Sequence, residues 1–190
     1  MRRTVTIIFL CILAVSVTGC RKARVRSQLK GMMESTVVLP EKVSCVFGGE
    51  VFPMPDSLRN KAKLIIYIDT TECTTCRITH LGRYDGVYEM SREKGSFEVL
   101  FLLANTDLYG VPVTRYLADS PIRYPVYVDD DNRFPGLNPA IPKDPRFHIF
   151  LVDGAGTPVC AGDPSATESM FQVFLGAVDK LPPKANQERR

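Results

Sequence analysis

Cys73-Thr74-Thr75-Cys76 follows directly on the apolar run Leu64-Ile65-Ile66-Tyr67-Ile68. Two cysteines three residues apart, between a buried strand and a helical stretch, bring two sulfurs to a helix N-terminus. There the unpaired backbone N–H groups and the positive end of the helix dipole favour a thiolate. The spacing lets the second sulfur fold back onto the first, so the pair can cycle between dithiol and disulfide. That is thiol–disulfide exchange, with Cys73 as nucleophile and the more exposed sulfur, and Cys76 as the resolving thiol one turn further in. Glu72, immediately before Cys73, places a carboxylate where it disfavours the thiolate and opposes the dipole. Thr74 and Thr75 are the intervening residues that tune the pair.

Other chemistries fit less well. His80 stands four residues after Cys76, on the same helical face, so Cys73, Cys76 and His80 are three candidate zinc ligands. The sequence supplies no second C-x-x-C and no H-x-x-x-H to complete such a site, and no metal is expected. Arg77 stands where attachment of c-type haem needs a histidine. Thr70 lies three residues before Cys73, as in a peroxidatic T-x-x-C, but that match is short enough to arise by chance. His148, within a strand, reads as a structural histidine. No bound cofactor is expected.

The elements that must position the cysteines are legible from hydrophobic pattern and turn residues. Val43 to Phe47 and Val51-Phe52, split by Gly48-Gly49, form a small hairpin. Leu64 to Asp69 is a strand apolar on both faces. A helix runs from Thr74 to about Lys94, with Gly82 and Gly86 marking a break. Strands follow at Phe97 to Ala104, Pro125 to Val128 and Phe147 to Val152, with a short helix at Val113 to Ala118. Gly154-Ala155-Gly156 turns the chain into a strand at Pro158 to Ala161. Ser165-Ala166-Thr167-Glu168 matches a capping box opening a last helix that ends near Leu181. Cys45 and Cys160 each fall in a peripheral strand. Either they form a structural disulfide or they are buried small hydrophobes.

The amino end determines the compartment. Met1-Arg2-Arg3 is a basic n-region and Thr4 to Val17 a 14-residue apolar stretch, short for a membrane span. Val17-Thr18-Gly19-Cys20 resembles the lipobox of bacterial lipoproteins, which implies cleavage before Cys20 and acylation of its sulfur; an ordinary secretory signal cleaved near Gly19 is the alternative. Cys11 leaves with that signal. Of the formal charge of +3, Arg2 and Arg3 carry two, and Arg21, Lys22, Arg24, Arg26 and Lys30 carry five, leaving −4 beyond Lys30. Such a basic stretch can rest on anionic headgroups or serve as a solvated tether. With no wider basic face, nucleic acid is not an expected partner. The predicted organisation is a signal at 1–19, a lipidated tether at 20–36, one domain at 37–182 and a loose tail at 183–190.

Strand, helix, strand, helix, strand, hairpin and terminal helix is the order of the thioredoxin-like fold, with C-x-x-C at its customary place. From about Val43 to Leu181 the chain resembles exported thioredoxin-like proteins of the TlpA-like and peroxiredoxin-related group. Phe147-His148-Ile149-Phe150-Leu151-Val152-Asp153-Gly154 is similar to that group's strand and turn before the closing hairpin. Cys73-Thr74-Thr75-Cys76, Tyr124-Pro125-Val126 and Gly162-Asp163-Pro164 together resemble bacterial thioredoxin-like lipoproteins.

The resemblance implies an α/β fold, a central mixed sheet flanked by helices with a small N-terminal hairpin. It implies an oxidoreductase of the cell envelope, facing the periplasm or exterior. Its partners would be protein thiols and disulfides, a redox partner and, through the anchor, a membrane. A non-catalytic envelope-binding module on the same fold is the rival reading. Thioredoxins carry a tryptophan where this chain has Glu72, and a buried acid where it has Tyr67, with Asp69 nearer the cysteines. The cis-proline register falls on Phe147. Either Pro145 is brought into place, or Arg146 and Phe147 face the site.

Overall fold

The computed structural model describes residues 23–182. The signal at 1–19, Cys20, the start of the tether and the tail at 183–190 lie outside the described residues. Nine strands are described: β1 (Val43–Phe47), β2 (Glu50–Pro53), β3 (Lys63–Ile68), β4 (Glu98–Ala104), β5 (Asp107–Leu108), β6 (Val111–Pro112), β7 (Val126–Asp129), β8 (Ile149–Val152) and β9 (Pro158–Ala161). The helices are α1 (residues 23–33), α2 (Thr74–Thr79), α3 (Asp85–Lys94), α4 (Val113–Ala118), α5 (Phe134–Leu137) and α6 (Glu168–Val178).

Seven strands form one mixed sheet in the order β2-β1-β7-β4-β3-β8-β9, and β5 and β6 form a separate small hairpin. β3 pairs parallel with β4, and β4 with β7; β8 runs antiparallel to β3, and β9 to β8. This is a thioredoxin-like α/β fold, with helices on both faces of a central mixed sheet.

Alternation along the central strands builds two cores. Leu64, Ile66, Ile68, Phe101 and Leu103 pack with Tyr84, Val87, Leu117, Phe174 and Val178 on one face. Ile65, Tyr67, Leu100 and Leu102 pack with Met32, Met54, Leu58, Phe134 and Phe147 on the other. Burial on both faces is why β3 and β4 read as unbroken apolar runs.

Gly48 and Gly49 have φ of +61° and +84°, the pair of left-handed residues that a two-residue loop between Phe47 and Glu50 requires. Met32 of α1 is fully buried, and Val25 and Leu29 pack on the same core. The stretch predicted as tether therefore contacts the sheet well before residue 37, because its apolar residues recur at helical spacing beneath the basic ones.

Two boundaries differ from the sequence reading. The cap of α6 is Thr167, whose side chain accepts from Met170 N, and not Ser165. Ser165 instead donates to Asp163 through both its backbone N–H and its hydroxyl. The long helix expected from Thr74 to Lys94 is divided into α2, a 3-10 turn at Leu81–Tyr84, and α3. Gly86 lies inside α3, so the division falls around His80 and Gly82.

Candidate functional site

β3 and β4 are parallel, so the chain leaves both at the same edge of the sheet, and the cysteines stand just past the end of β3. Cys73 is the N-cap of α2, with extended backbone at φ −71° and ψ 91°. It is disulfide-bonded to Cys76, with Cα atoms 5.3 Å apart. The Thr75 hydroxyl lies 3.5 Å from Cys73 Sγ.

α2 buries Thr74 and Ile78, which are four residues apart, and turns the opposite face to solvent. Both cysteines are on the solvent face and both are exposed. With Thr74 and Ile78 as the inward pair, position 76 points out to solvent, as position 73 does. At six residues, α2 also offers a weaker dipole than the longer helix predicted.

Glu72 is mostly buried and its charge is paired, with Arg77 Nε 3.4 Å from Oε2. The opposition between Glu72 and a thiolate is therefore partly compensated from within α2. His80 places Nδ1 2.6 Å from the Cys76 carbonyl oxygen. A carbonyl only accepts, so His80 donates from Nδ1 and caps the end of α2. His80 is thereby turned to the backbone of Cys76. Among the described residues no group of three or more His, Cys, Asp or Glu is arranged to hold a metal ion.

In the segment before β8, Pro145 is not a cis-proline. Pro145, Arg146 and Phe147 form a 3-10 turn capped by Asp144, and no cis peptide bond occurs among the described residues. Phe147 is buried in the core behind β3, and Arg146 is drawn outward onto Asp144, Nε to Oδ1 at 3.0 Å. The hydrogen bond from Arg146 holds the Asp144 carboxyl down at about 2.

The residue that this segment does bring to the cysteine loop is His148, which is 3% exposed. Its Nδ1 lies 3.7 Å from Glu72 Oε1 and 3.9 Å from Asp69 Oδ2. Tyr67, at the position of the thioredoxin acid, stacks beside His148 with ring centroids 5.3 Å apart. Burial, then the charges of Asp69, Asp129 and Glu72, push the Tyr67 phenol upward, so it stays protonated. Sequence reasoning treated His148 as structural; its closeness to Glu72 needs the register of β8 on β3, where Ile66 pairs with Ile149.

Gly162-Asp163-Pro164 is an anchor behind the site. Asp163 Oδ2 accepts from Tyr84 Oη at 3.2 Å and lies 3.1 Å from an Arg83 guanidinium nitrogen. This ties the turn after α2 to the loop before α6. Tyr124 packs on Tyr88 and Phe101 and lines a cleft of about 360 Å³ at the far end of α2.

Cys45 and Cys160 are free and buried on opposite faces of the sheet, in β1 and β9. Five strand spacings separate them, roughly 24 Å, so the disulfide left open in the sequence does not form. Burial pushes both thiols upward.

No family model matches the chain, and no curated protein does. Solved structures do resemble it. The thioredoxin domain of a thiol-disulfide oxidoreductase from Bacteroides vulgatus shares 15% of residues, with a TM-score of 0.48, over 76% of this chain and 98% of that one. A thiol:disulfide interchange protein of the thioredoxin family from Chlorobium tepidum shares 18%, with a TM-score of 0.43, over 76% and 99%. A secreted disulfide oxidoreductase from Mycobacterium tuberculosis shares 14%, with a TM-score of 0.42, over 79% and 98%. The strand order and pairing described above establish the thioredoxin-like fold of this chain, with a closed, solvent-facing Cys73–Cys76 disulfide at its C-x-x-C.

Proposed function

We propose that this chain is a thiol–disulfide oxidoreductase that exchanges disulfides with protein partners through Cys73 and Cys76. One observation carries the reading: the pair is close enough to close and is exposed at the end of β3, where a partner sulfur can reach it. In the reduced form the Cys73 thiolate attacks a partner disulfide. A Cys73–partner disulfide forms and one partner thiolate leaves. Cys76 then attacks Cys73, closing the intramolecular disulfide and releasing the second partner thiolate. Two electrons have passed to the partner, and the reverse sequence oxidises a partner dithiol. The reaction needs no bound cofactor.

The lipobox at Val17-Thr18-Gly19-Cys20 supports export and anchoring through Cys20 in the cell envelope, so that the domain works at a membrane surface. No helix among the described residues is long and apolar enough to cross a membrane. Incorporation of labelled fatty acid, lost in Cys20→Ala, tests the anchor.

Glu72 beside Cys73 favours a second reading, a non-catalytic binding module on the same fold, because a carboxylate there opposes the thiolate. Trapping separates the two. With oxidised glutathione, reduced Cys76→Ser accumulates a mixed disulfide at Cys73, and Cys73→Ser accumulates one at Cys76 more slowly. Absence of any adduct at Cys73 sinks the oxidoreductase reading.

A further inference from the structure

The cleft of about 360 Å³ lies between α2 and the segment joining α4 to β7, with apolar walls from Ile78, Leu81, Tyr116 and Ile122. Two polar groups interrupt those walls, Asp85 and Tyr124. Asp85 Oδ1 and Tyr124 Oη are buried, and neither has a hydrogen-bond partner among the described residues. Buried polar atoms left unpaired cost stability, so each calls for a reason. Tyr124 is 7% exposed and packs between the rings of Tyr88 and Phe101, with centroids 4.7 and 5.4 Å away, which fixes where its hydroxyl stands.

The Asp85 carboxylate is equally uncommitted. Its second oxygen, Oδ2, is 4.0 Å from Arg123 Nη1, beyond hydrogen-bond distance, and the Arg123 side chain is 82% exposed. Solvent therefore screens the cation that lines the cleft. The Asp85 side chain is itself 44% exposed, so an entering ligand can reach it. A ligand suited to this place has an aliphatic stem for the walls. Its head carries several N–H donors, because a carboxylate only accepts and a phenol also accepts. Lysine and arginine side chains have that form, burying the stem while the charged end finds its partners.

We propose that this cleft holds a lysine or arginine side chain of the partner polypeptide, a few residues from the cysteine that Cys73 engages. The inference rests on the redox reading of Cys73 and Cys76 and names the class of partner they serve. The link between the two places is α2. Ile78 and Thr79 line the cleft two and three residues past Cys76, an advance of about 5 Å along the helix. A polypeptide whose sulfur has reached Cys73 is thereby brought beside the cleft. Its basic side chain takes the place of Arg123 at Asp85 and satisfies the two unpaired oxygens.

The first measurement uses the oxidised protein, so that no sulfur exchange takes part. Pentylamine, an ammonium on an aliphatic stem, is titrated against backbone amide NMR shifts, with pentanol as its uncharged match. Pentylamine is expected to shift the amides of Gly82, Asp85 and Ile122 to saturation and to bind about tenfold more tightly than pentanol, the effect of one charge-assisted hydrogen bond. Asp85→Asn removes that preference, whereas Arg123→Gln, which takes away the competing cation, strengthens pentylamine binding about twofold. The second measurement is the rate at which reduced protein attacks peptides whose single cysteine is capped by glutathione, with lysine or glutamine placed at successive spacings from it. At the best spacing lysine is expected to react about tenfold faster than glutamine, and Asp85→Asn removes that advantage. Equal binding of pentylamine and pentanol, or no shift at these amides, overturns the cation site. Equal rates for lysine and glutamine peptides at every spacing overturn its assignment to a partner. If pentylamine binds but no peptide reacts, the redox reading falls, and the partner with it, while the cation site stands.

Discussion

Arg77 Nε lies 3.4 Å from Glu72 Oε2, which puts a cation from the last turn of α2 against the carboxylate that precedes Cys73. The side chains are 28% and 12% exposed, so solvent screens the pair only in part. Arg77 thereby offsets the charge that opposes the Cys73 thiolate. Arg77→Gln is expected to slow alkylation of reduced Cys73 at pH 7 by about threefold, the effect of roughly half a pKa unit. An unchanged or faster rate would show that Glu72 does not act on the thiol.

Cys45 and Cys160 should be silent in the folded protein. Both are buried and their thiols are pushed upward by that burial. Brief iodoacetamide treatment of reduced native protein is expected to label Cys73 and Cys76 only. Labelling of Cys45 and Cys160 should require denaturant.

Lys63 supplies a pH dependence of stability. Its side chain is buried in the sheet, with Nζ 3.0 Å from the Arg59 carbonyl oxygen, and desolvation lowers its pKa to about 8 despite the attraction of Asp153. Below pH 8 folded and unfolded chains both hold the proton, and the burial penalty, about 3 kcal/mol at most, is present in full. From pH 8 to about 10.5 only the unfolded chain holds it, so this contribution to stability rises with pH. In urea titrations, the stability of Lys63→Met relative to wild type should be greatest at pH 7 and decline across that window. A difference independent of pH would contradict the assignment.

Gly156 carries a local demand that no other residue meets. Its φ is +86°, and a Cβ there would stand 2.5 Å from the Val37 carbonyl oxygen. Val37 N donates to Gly156 O at 2.8 Å, joining the segment after α1 to the turn before β9. Gly156→Ala is expected to cost about 2 kcal/mol or more by chemical denaturation, from strain and from separation of the two segments.

The order of elements was readable because β3, β4, β7 and β8 are short apolar runs bounded by turn residues, and because Gly48-Gly49 announces its hairpin. The position of the cysteines at the end of β3 followed from the same pattern. What escaped depends on contacts between distant segments. The outward turn of Cys76 is set by Thr74 and Ile78, which occupy the buried face of α2. The inward turn of Phe147 and the meeting of His148 with Glu72 are set by the pairing of β8 with β3. The separation of Cys45 from Cys160 follows from strand order, which spacing along the chain does not encode.

The central claim is that Cys73 and Cys76 form a working redox pair, and its most direct test is their equilibrium reduction potential. The soluble domain, starting after Cys20 and carrying Cys45→Ala and Cys160→Ala, would be titrated against glutathione and dithiothreitol with alkylation readout. Reversible exchange at a potential between roughly −120 and −270 mV is the predicted result and places the pair among oxidoreductases. A disulfide that stays closed below about −300 mV, or thiols that never pair, would contradict the account and leave the fold as a binding module.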